Sequence, residues 1–141
     1  MSQARPMLWD ISAPVHAASP VYPGDTPYQQ QWSATIGPGS AVNVSSLTLS
    51  PHIGTHADAP LHYDNHGAAI GALPLEAFIG PCRVIHAIGC GLLVEWRHIA
   101  HAMTPDLPPR VLLRTYAQAP VDHWDAGLTA CAPETLERLA D

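Results

Sequence analysis

The segment SPHIGTHADAPLHYDNHG, residues 50–67, concentrates side chains that can bind metal ions or transfer protons. It contains four histidines and two aspartates, although charged residues make up only 13% of the chain. Two imidazoles and one carboxylate are a common ligand set for a catalytic divalent metal, because three protein ligands leave a position open for water. The segment therefore predicts a metal site with His52, His56 and Asp58 as ligands.

The expected metal is zinc, with manganese as an alternative. A closed structural zinc site usually has four protein ligands, most often including thiolates, and this segment has no cysteine. A catalytic ion can lower the pKa of water to about 7, which supplies a nucleophile at neutral pH. His62 follows Asp58 by four residues and is placed to act outside the coordination shell as general base and then general acid. These are the parts that a hydrolase needs.

The backbone that would gather these ligands is extended or looped, since all three lie at even positions and a period of two projects them to one side. A helix would scatter them: at about 100° per residue, Asp58 lies about 240° from His52. Pro51, Gly54 and Pro60 also oppose a helix through this segment.

The other histidines and the cysteines are interpreted as structural or solvated. His66 lies in a turn-like sequence at residues 64–67, and the three cysteines are widely spaced without a C-x-x-C pair, so we expect them to be reduced. The histidines interpreted as structural are His16, His86, His98, His101 and His123.

Length and composition indicate one globular domain over residues 1–141. The net charge of -6 without a basic cluster argues against nucleic acid as a partner. No apolar run approaches the roughly 18–20 residues of a spanning helix, and the first residues lack the apolar core of a secretion signal. We therefore expect a cytoplasmic protein that does not bind membranes.

Short strands mixed with helices are predicted along the chain, which indicates an α/β fold. Residues 45–46 interrupt the alternation of one strand and predict a bulge there. The expected strands lie at residues 7–11, 42–49, 82–88 and 111–116, with a helical turn at 73–78 and helices at 94–103 and 133–139.

The run HIGTHADAPLH, residues 52–62, resembles the H-x-G-T-H-x-D-x-P-x-H signature of the metal-dependent cyclase-like hydrolases. The flanking segments resemble the arylformamidase branch of that family. These segments are LWDISAPV (8–15), YPGDTP (22–27), NVSSLTLSPH (43–52), IGALPLEAFIGPCRVI (70–85), PPRVLLRTY (108–116) and CAPETLERLAD (131–141).

The resemblance implies a swivelling β/β/α fold, a homodimer or larger assembly, and two zinc or manganese ions per subunit. It implies that His52, His56 and Asp58 bind the first ion, that Asp58 bridges to the second, and that His62 is the proton donor and acceptor. Tyr22, at a position where the family often has tryptophan, would line the substrate site. The implied reaction is hydrolysis of the small molecule N-formyl-L-kynurenine to L-kynurenine and formate in tryptophan degradation.

Two alternatives remain open from the sequence. Family members continue beyond the point that matches Asp141, so we expect the C-terminal part of the domain, with the other ligands of the second ion, to be absent from these residues. The chain could then be a non-catalytic metal-binding or dimerising module. It could also be a hydrolase of the same family that acts on another amide or on a cyclic amide such as isatin.

Overall fold

A computed structural model describes residues 7–140 of the chain. Short strands and short helices alternate along these residues. The strands are β1 (Gln29–Ala34), β2 (Val44–Thr48), β3 (Arg83–His86), β4 (Leu93–Val94), β5 (Val111–Arg114) and β6 (Ala130–Cys131). The α-helices are α1 (Trp96–Ile99) and α2 (Pro133–Ala140), and single 3-10 turns occupy Pro60–His62, Ile70–Ala72, Leu75–Ala77 and Ala100–Ala102.

The described residues form two compact units. The first unit contains residues 7–58 and 121–124, and the second contains residues 59–120 and 125–140. A single domain over residues 1–141 stays a prediction. No helix within residues 7–140 combines the length and the apolar content needed to cross a membrane.

The first unit is built on an antiparallel ribbon of β1 and β2. The register pairs Trp32 with Ser45 and Ala34 with Val44, so the irregularity lies in β1. The bulge predicted at residues 45–46 of β2 is therefore wrong, since β2 pairs there without a break. Strand β1 was not predicted, because its glutamine-rich sequence lacks apolar alternation. It forms through pairing with β2, which shows how far strand formation depends on the neighbouring strand.

The strand expected at residues 7–11 is wrong, since these residues have no regular secondary structure. The apolar side chains that suggested the strand are exposed, and Ile11 is 90% exposed. Within the part of the chain that the structure describes, no other strand pairs with this segment. Alternation predicts a strand only where one face can be buried, and that condition is not met here.

The second unit contains two parallel strand pairs. Strand β3 pairs with β5, from Arg83 opposite Val111 to His86 opposite Arg114, and β4 pairs with β6. The predicted strands at 82–88 and 111–116 are confirmed with shorter bounds. A small apolar cluster holds the pairs together, and its buried members are Ile85, Ala87, Val94 and Ile99.

Both helices of the second unit are fixed at their N-terminal ends. Helix α1 begins with a capping box in which the Glu95 backbone N–H donates to Nδ1 of His98 at 3.0 Å. Helix α2, predicted at residues 133–139, is confirmed, and the buried Thr135 hydroxyl donates to the Val94 carbonyl at 2.9 Å. The helical turn predicted at 73–78 is confirmed as the 3-10 turn Leu75–Ala77. The helix predicted at 94–103 is confirmed with shorter bounds, as α1 followed by the 3-10 turn Ala100–Ala102.

Candidate metal centre

The segment that carries the predicted ligands is a loop. Residues 50–59 contain turns and irregular backbone, without a helix or a regular strand. The looped interpretation of this segment is therefore confirmed, and the regular alternation of an extended strand is not observed. The loop is anchored by the side chain of Ile53, which is only 5% exposed.

Gly54 allows the loop to turn between the two histidines. Its φ angle is +68°, in the left-handed region that favours glycine. A β-carbon at this position would lie 2.6 Å from Cγ2 of Val15, a distance that two carbon atoms cannot adopt without a shift. The Gly54 carbonyl also accepts a hydrogen bond from Nδ1 of His56 at 2.9 Å.

We expect Gly54→Ala to disturb both the loop and its ligand set. The left-handed conformation alone costs roughly 1–2 kcal/mol for a residue with a β-carbon, and the contact with Val15 adds to this. Thermal unfolding and bound metal per chain should both decrease. Gly37→Ala is the matched control, because a β-carbon there meets no atom within 4 Å. Equal effects of the two substitutions would contradict this prediction.

The loop brings the three predicted ligands together. Nδ1 of His52 lies 3.0 Å from Oδ1 of Asp58 and 3.3 Å from Nε2 of His56. Nε2 of His56 lies 3.5 Å from the same carboxylate oxygen. Among residues 7–140, this is the one place where three histidine, cysteine or acidic side chains present ligand atoms so close to one another.

The donor set fits a divalent cation. Donors at about 2.0–2.1 Å from a tetrahedral metal are about 3.3 Å from each other, and the three observed separations lie around this value. The hydrogen bond to Gly54 requires the proton of His56 on Nδ1, so its Nε2 presents a lone pair. A divalent cation between the three atoms would be a common partner for all of them.

The three side chains are accessible from solvent. Their exposed fractions are 32% for His52, 33% for His56 and 34% for Asp58. An ion can therefore reach the site, and a substrate can approach it. A buried structural site would leave no such access.

Two residues that support the loop, one at its start and one in a distant segment, were not identified from the sequence. The Ser50 hydroxyl accepts a hydrogen bond from the His52 backbone N–H at 3.1 Å and donates one to Asp25. The hydrogen bond from Ser50, followed by that from the Thr26 backbone N–H, holds the pKa of Asp25 below its ordinary value, and the nearby His52 adds to this effect. The segments YPGDTP and NVSSLTLSPH, which carry the family resemblance, contain these residues and were the available signal.

Tyr22, the predicted substrate-binding residue, has an aromatic neighbour. Its ring packs edge-to-face against Trp124, with centroids 5.2 Å apart and an interplanar angle of 79°. Tyr22 is 62% exposed and Trp124 is 38% exposed. Both residues belong to the first unit. Trp124 was not identified from the sequence, because no local pattern indicates a contact between residues so far apart along the chain.

His62 lies in the second unit, at the end of the 3-10 turn Pro60–His62. Its side chain is exposed, and its ring contacts that of Tyr63 at a centroid distance of 4.5 Å. The role of His62 in proton transfer stays a prediction.

Several other histidines make local contacts. Nδ1 of His16 accepts from the Ala18 backbone N–H at 3.1 Å, and His123 lies 2.7 Å from the carboxylate of Asp122. His66 closes a turn through its backbone N–H, which donates to Asp64 at 2.9 Å. None of these three histidines belongs to a group with three candidate ligands.

Comparison with known proteins shows similarity over nearly the whole chain. The sequence profile of the family described as "Putative cyclase" matches residues 9–139. A protein named kynurenine formamidase from Paracidovorax citrulli is 72% identical over 138 residues, which cover 96% of this chain and 64% of the relative. One of the same name from Delftia acidovorans is 69% identical over 134 residues, covering 95% of this chain and 63% of the relative.

A solved structure is similar as well. It is described as a potential metal-dependent hydrolase with cyclase activity, and it superposes with a TM-score of 0.70 at 27% identity. The matched region covers 94% of this chain and 62% of that structure. The chain thus spans somewhat less than two thirds of the length of these proteins.

Proposed function

Because the chain belongs to the putative cyclase family, we propose that it binds a divalent metal ion and hydrolyses N-formyl-L-kynurenine to L-kynurenine and formate. The observation that carries the proposal is the triangle of ligand atoms from His52, His56 and Asp58, with edges of 3.0, 3.3 and 3.5 Å. The name of the similar proteins supports this choice of substrate.

Zinc is the proposed ion, since imidazole nitrogen and carboxylate oxygen are both common zinc ligands and the donor spacing suits tetrahedral coordination. When bound, such an ion supplies Lewis acidity that polarises a carbonyl and makes water acidic enough to act as a nucleophile near neutral pH. Manganese stays the alternative. The proposal includes the expectation that Asp58 would also help to hold a second ion.

The other site residues would bind the substrate and move a proton. The exposed Tyr22 ring would hold the aryl group, supported from the side by Trp124. His62 would accept a proton from the attacking water and return one to the aryl nitrogen. An anilide nitrogen is a poor leaving group until it is protonated, so the second transfer allows the C–N bond to break.

We expect Tyr22→Ala to raise KM about tenfold with a smaller change in kcat, because an aromatic contact contributes roughly 0.5–1.5 kcal/mol beyond the buried area. Tyr22→Trp should keep KM close to that of the parent. Trp32→Ala is the matched control, since Trp32 is 59% exposed and lies in the same unit. Steady-state kinetics with N-formylkynurenine measure these effects, and an unchanged KM in Tyr22→Ala would refute the role of the ring.

The proposed function is tested by adding N-formylkynurenine or isatin to the zinc-loaded chain and following the product by absorbance. Preferential release of kynurenine, lost on chelation and restored by zinc, supports the proposal. Preference for isatin would favour a different hydrolase of the same family. Tight binding of one metal without hydrolysis of either compound would favour a non-catalytic module.

The proposal also includes a homodimer in the cytoplasm. Light scattering of the purified protein measures the oligomeric state, and a monomer at micromolar concentration would contradict the dimer.

A further inference from the structure

The hydrogen bonds behind the metal loop connect two distant segments of the first unit. We propose that Ser50 and Asp25 are positioning residues for the metal centre, which hold the backbone at His52 so that its imidazole stays directed at the other ligands. This inference rests on the proposed function in one respect: the site must bind a divalent cation.

The Ser50 hydroxyl has one proton and therefore one direction in which to donate. It donates to Asp25, so its oxygen is left to accept the hydrogen bond from the His52 backbone N–H, at 3.1 Å. Ser50 is only 2% exposed, so water is poorly placed to replace either bond. Loss of the hydroxyl would remove the hydrogen bond that the His52 backbone N–H makes to Ser50.

The carboxylate of Asp25 is itself fixed. It accepts a hydrogen bond from the Thr26 backbone N–H at 2.6 Å, and its own backbone N–H donates to the Tyr22 carbonyl at 2.9 Å. The Ser50 backbone N–H donates to the Thr26 carbonyl at 3.1 Å. Two hydrogen bonds thus connect the turn after Tyr22 with the residue that supports His52.

The charge of Asp25 and its hydrogen bonds both favour the binding of a cation at the ligands. The Ser50 hydroxyl and the Thr26 N–H stabilise the charged form of the carboxylate and hold the pKa of Asp25 below its ordinary value. A negative charge near His52 favours a cation at the ligands. Asp25 is partly exposed, so this contribution is screened by solvent and is smaller than that of the hydrogen bonds.

Zinc affinity of the chain, measured by competition with a chelator of known affinity, tests the inference. Ser50→Ala should weaken zinc binding by about 10–100-fold, the usual cost of removing a hydrogen bond that orients a metal ligand. Asp25→Asn keeps an oxygen that can accept from Ser50 but removes the charge. This variant should therefore lose less zinc affinity than Ser50→Ala. This second variant is also less disruptive to folding.

Ser40→Ala is the matched control. Ser40 lies in the same unit and its hydroxyl also makes two local hydrogen bonds, one to the Val42 carbonyl at 2.7 Å and one from the Val42 backbone N–H at 3.3 Å. These bonds do not involve a metal ligand. Ser40→Ala should therefore bind zinc like the parent, even if its melting temperature decreases.

A double-variant cycle tests whether Asp25 affects zinc binding through Ser50. Because Asp25 acts through Ser50, the combination Asp25→Ala/Ser50→Ala should lose little more zinc affinity than Ser50→Ala alone. Parent-like zinc affinity in both Ser50→Ala and Asp25→Asn would overturn the inference and leave the proposed function intact. A parent chain that binds no zinc would overturn the proposed metal site itself, and the inference with it.

Discussion

Asp58→Ala should remove both metal binding and hydrolysis. Oδ1 of Asp58 lies within 3.5 Å of a ligand nitrogen of both His52 and His56, so it is the one anionic donor at the centre of the set. Two neutral imidazoles alone neither balance the charge of a divalent cation nor complete a three-ligand site. We expect bound zinc to fall from stoichiometric to trace amounts.

The effect on turnover should be correspondingly large. A metal ion contributes several kcal/mol of transition-state stabilisation, so kcat/KM for N-formylkynurenine should fall about a thousandfold or more. Metal per chain, measured by atomic emission, and steady-state kinetics give the two readouts. Both should decrease together, because the substitution acts on the reaction through the ion.

Asp122→Ala provides the matched control for this experiment. Asp122 also contacts a histidine at short distance, 2.7 Å to His123, and it lies in the same unit as Asp58. That pair has no third ligand among the described residues, so its loss should leave zinc content and turnover unchanged. If Asp58→Ala kept stoichiometric zinc, the assignment of Asp58 as a ligand would be wrong.

The sequence predicted the parts of the fold whose signals are local. The β-branched run around Ile85 predicted β3, and the Pro-Glu start at residues 133–134 predicted α2. The similarity to a solved structure described as a potential metal-dependent hydrolase, together with the membership of the family, confirms the α/β, cyclase-like fold class. Short strands such as β4, only two residues long, exist because of their pairing partners and leave no local signal.

The residues of the candidate site show the same difference between local signals and tertiary contacts. His52, His56 and Asp58 could be predicted to form one cluster because they lie within seven residues, and the structure does bring their ligand atoms together. Asp25 and Trp124 were not identified, because their contacts with Ser50 and Tyr22 depend on tertiary structure. Residues that support a site through such contacts leave no periodic pattern in a single sequence.

His62→Ala should lower turnover while the metal stays bound, which distinguishes it from loss of a ligand. General acid–base catalysis contributes about 10²–10⁴-fold, so kcat for N-formylkynurenine should fall by that factor at unchanged zinc content. The loss arises because the aryl nitrogen leaves slowly without a proton donor. An anilide whose leaving nitrogen is less basic needs less help from a proton donor. His62→Ala should therefore lower kcat for such an anilide by a smaller factor than it lowers kcat for N-formylkynurenine.

His66→Ala is the matched control, since His66 is an exposed histidine four residues further along the same unit. Its backbone rather than its ring bonds to Asp64, so removal of the imidazole should preserve the turn and the rate. Two results would assign proton transfer to the leaving nitrogen to another group. One is a parental kcat in His62→Ala, and the other is an equal decrease of kcat for substrates with good and poor leaving groups. A loss of zinc in His62→Ala would instead place His62 among the ligands, because a proton shuttle outside the coordination shell should leave metal content unchanged.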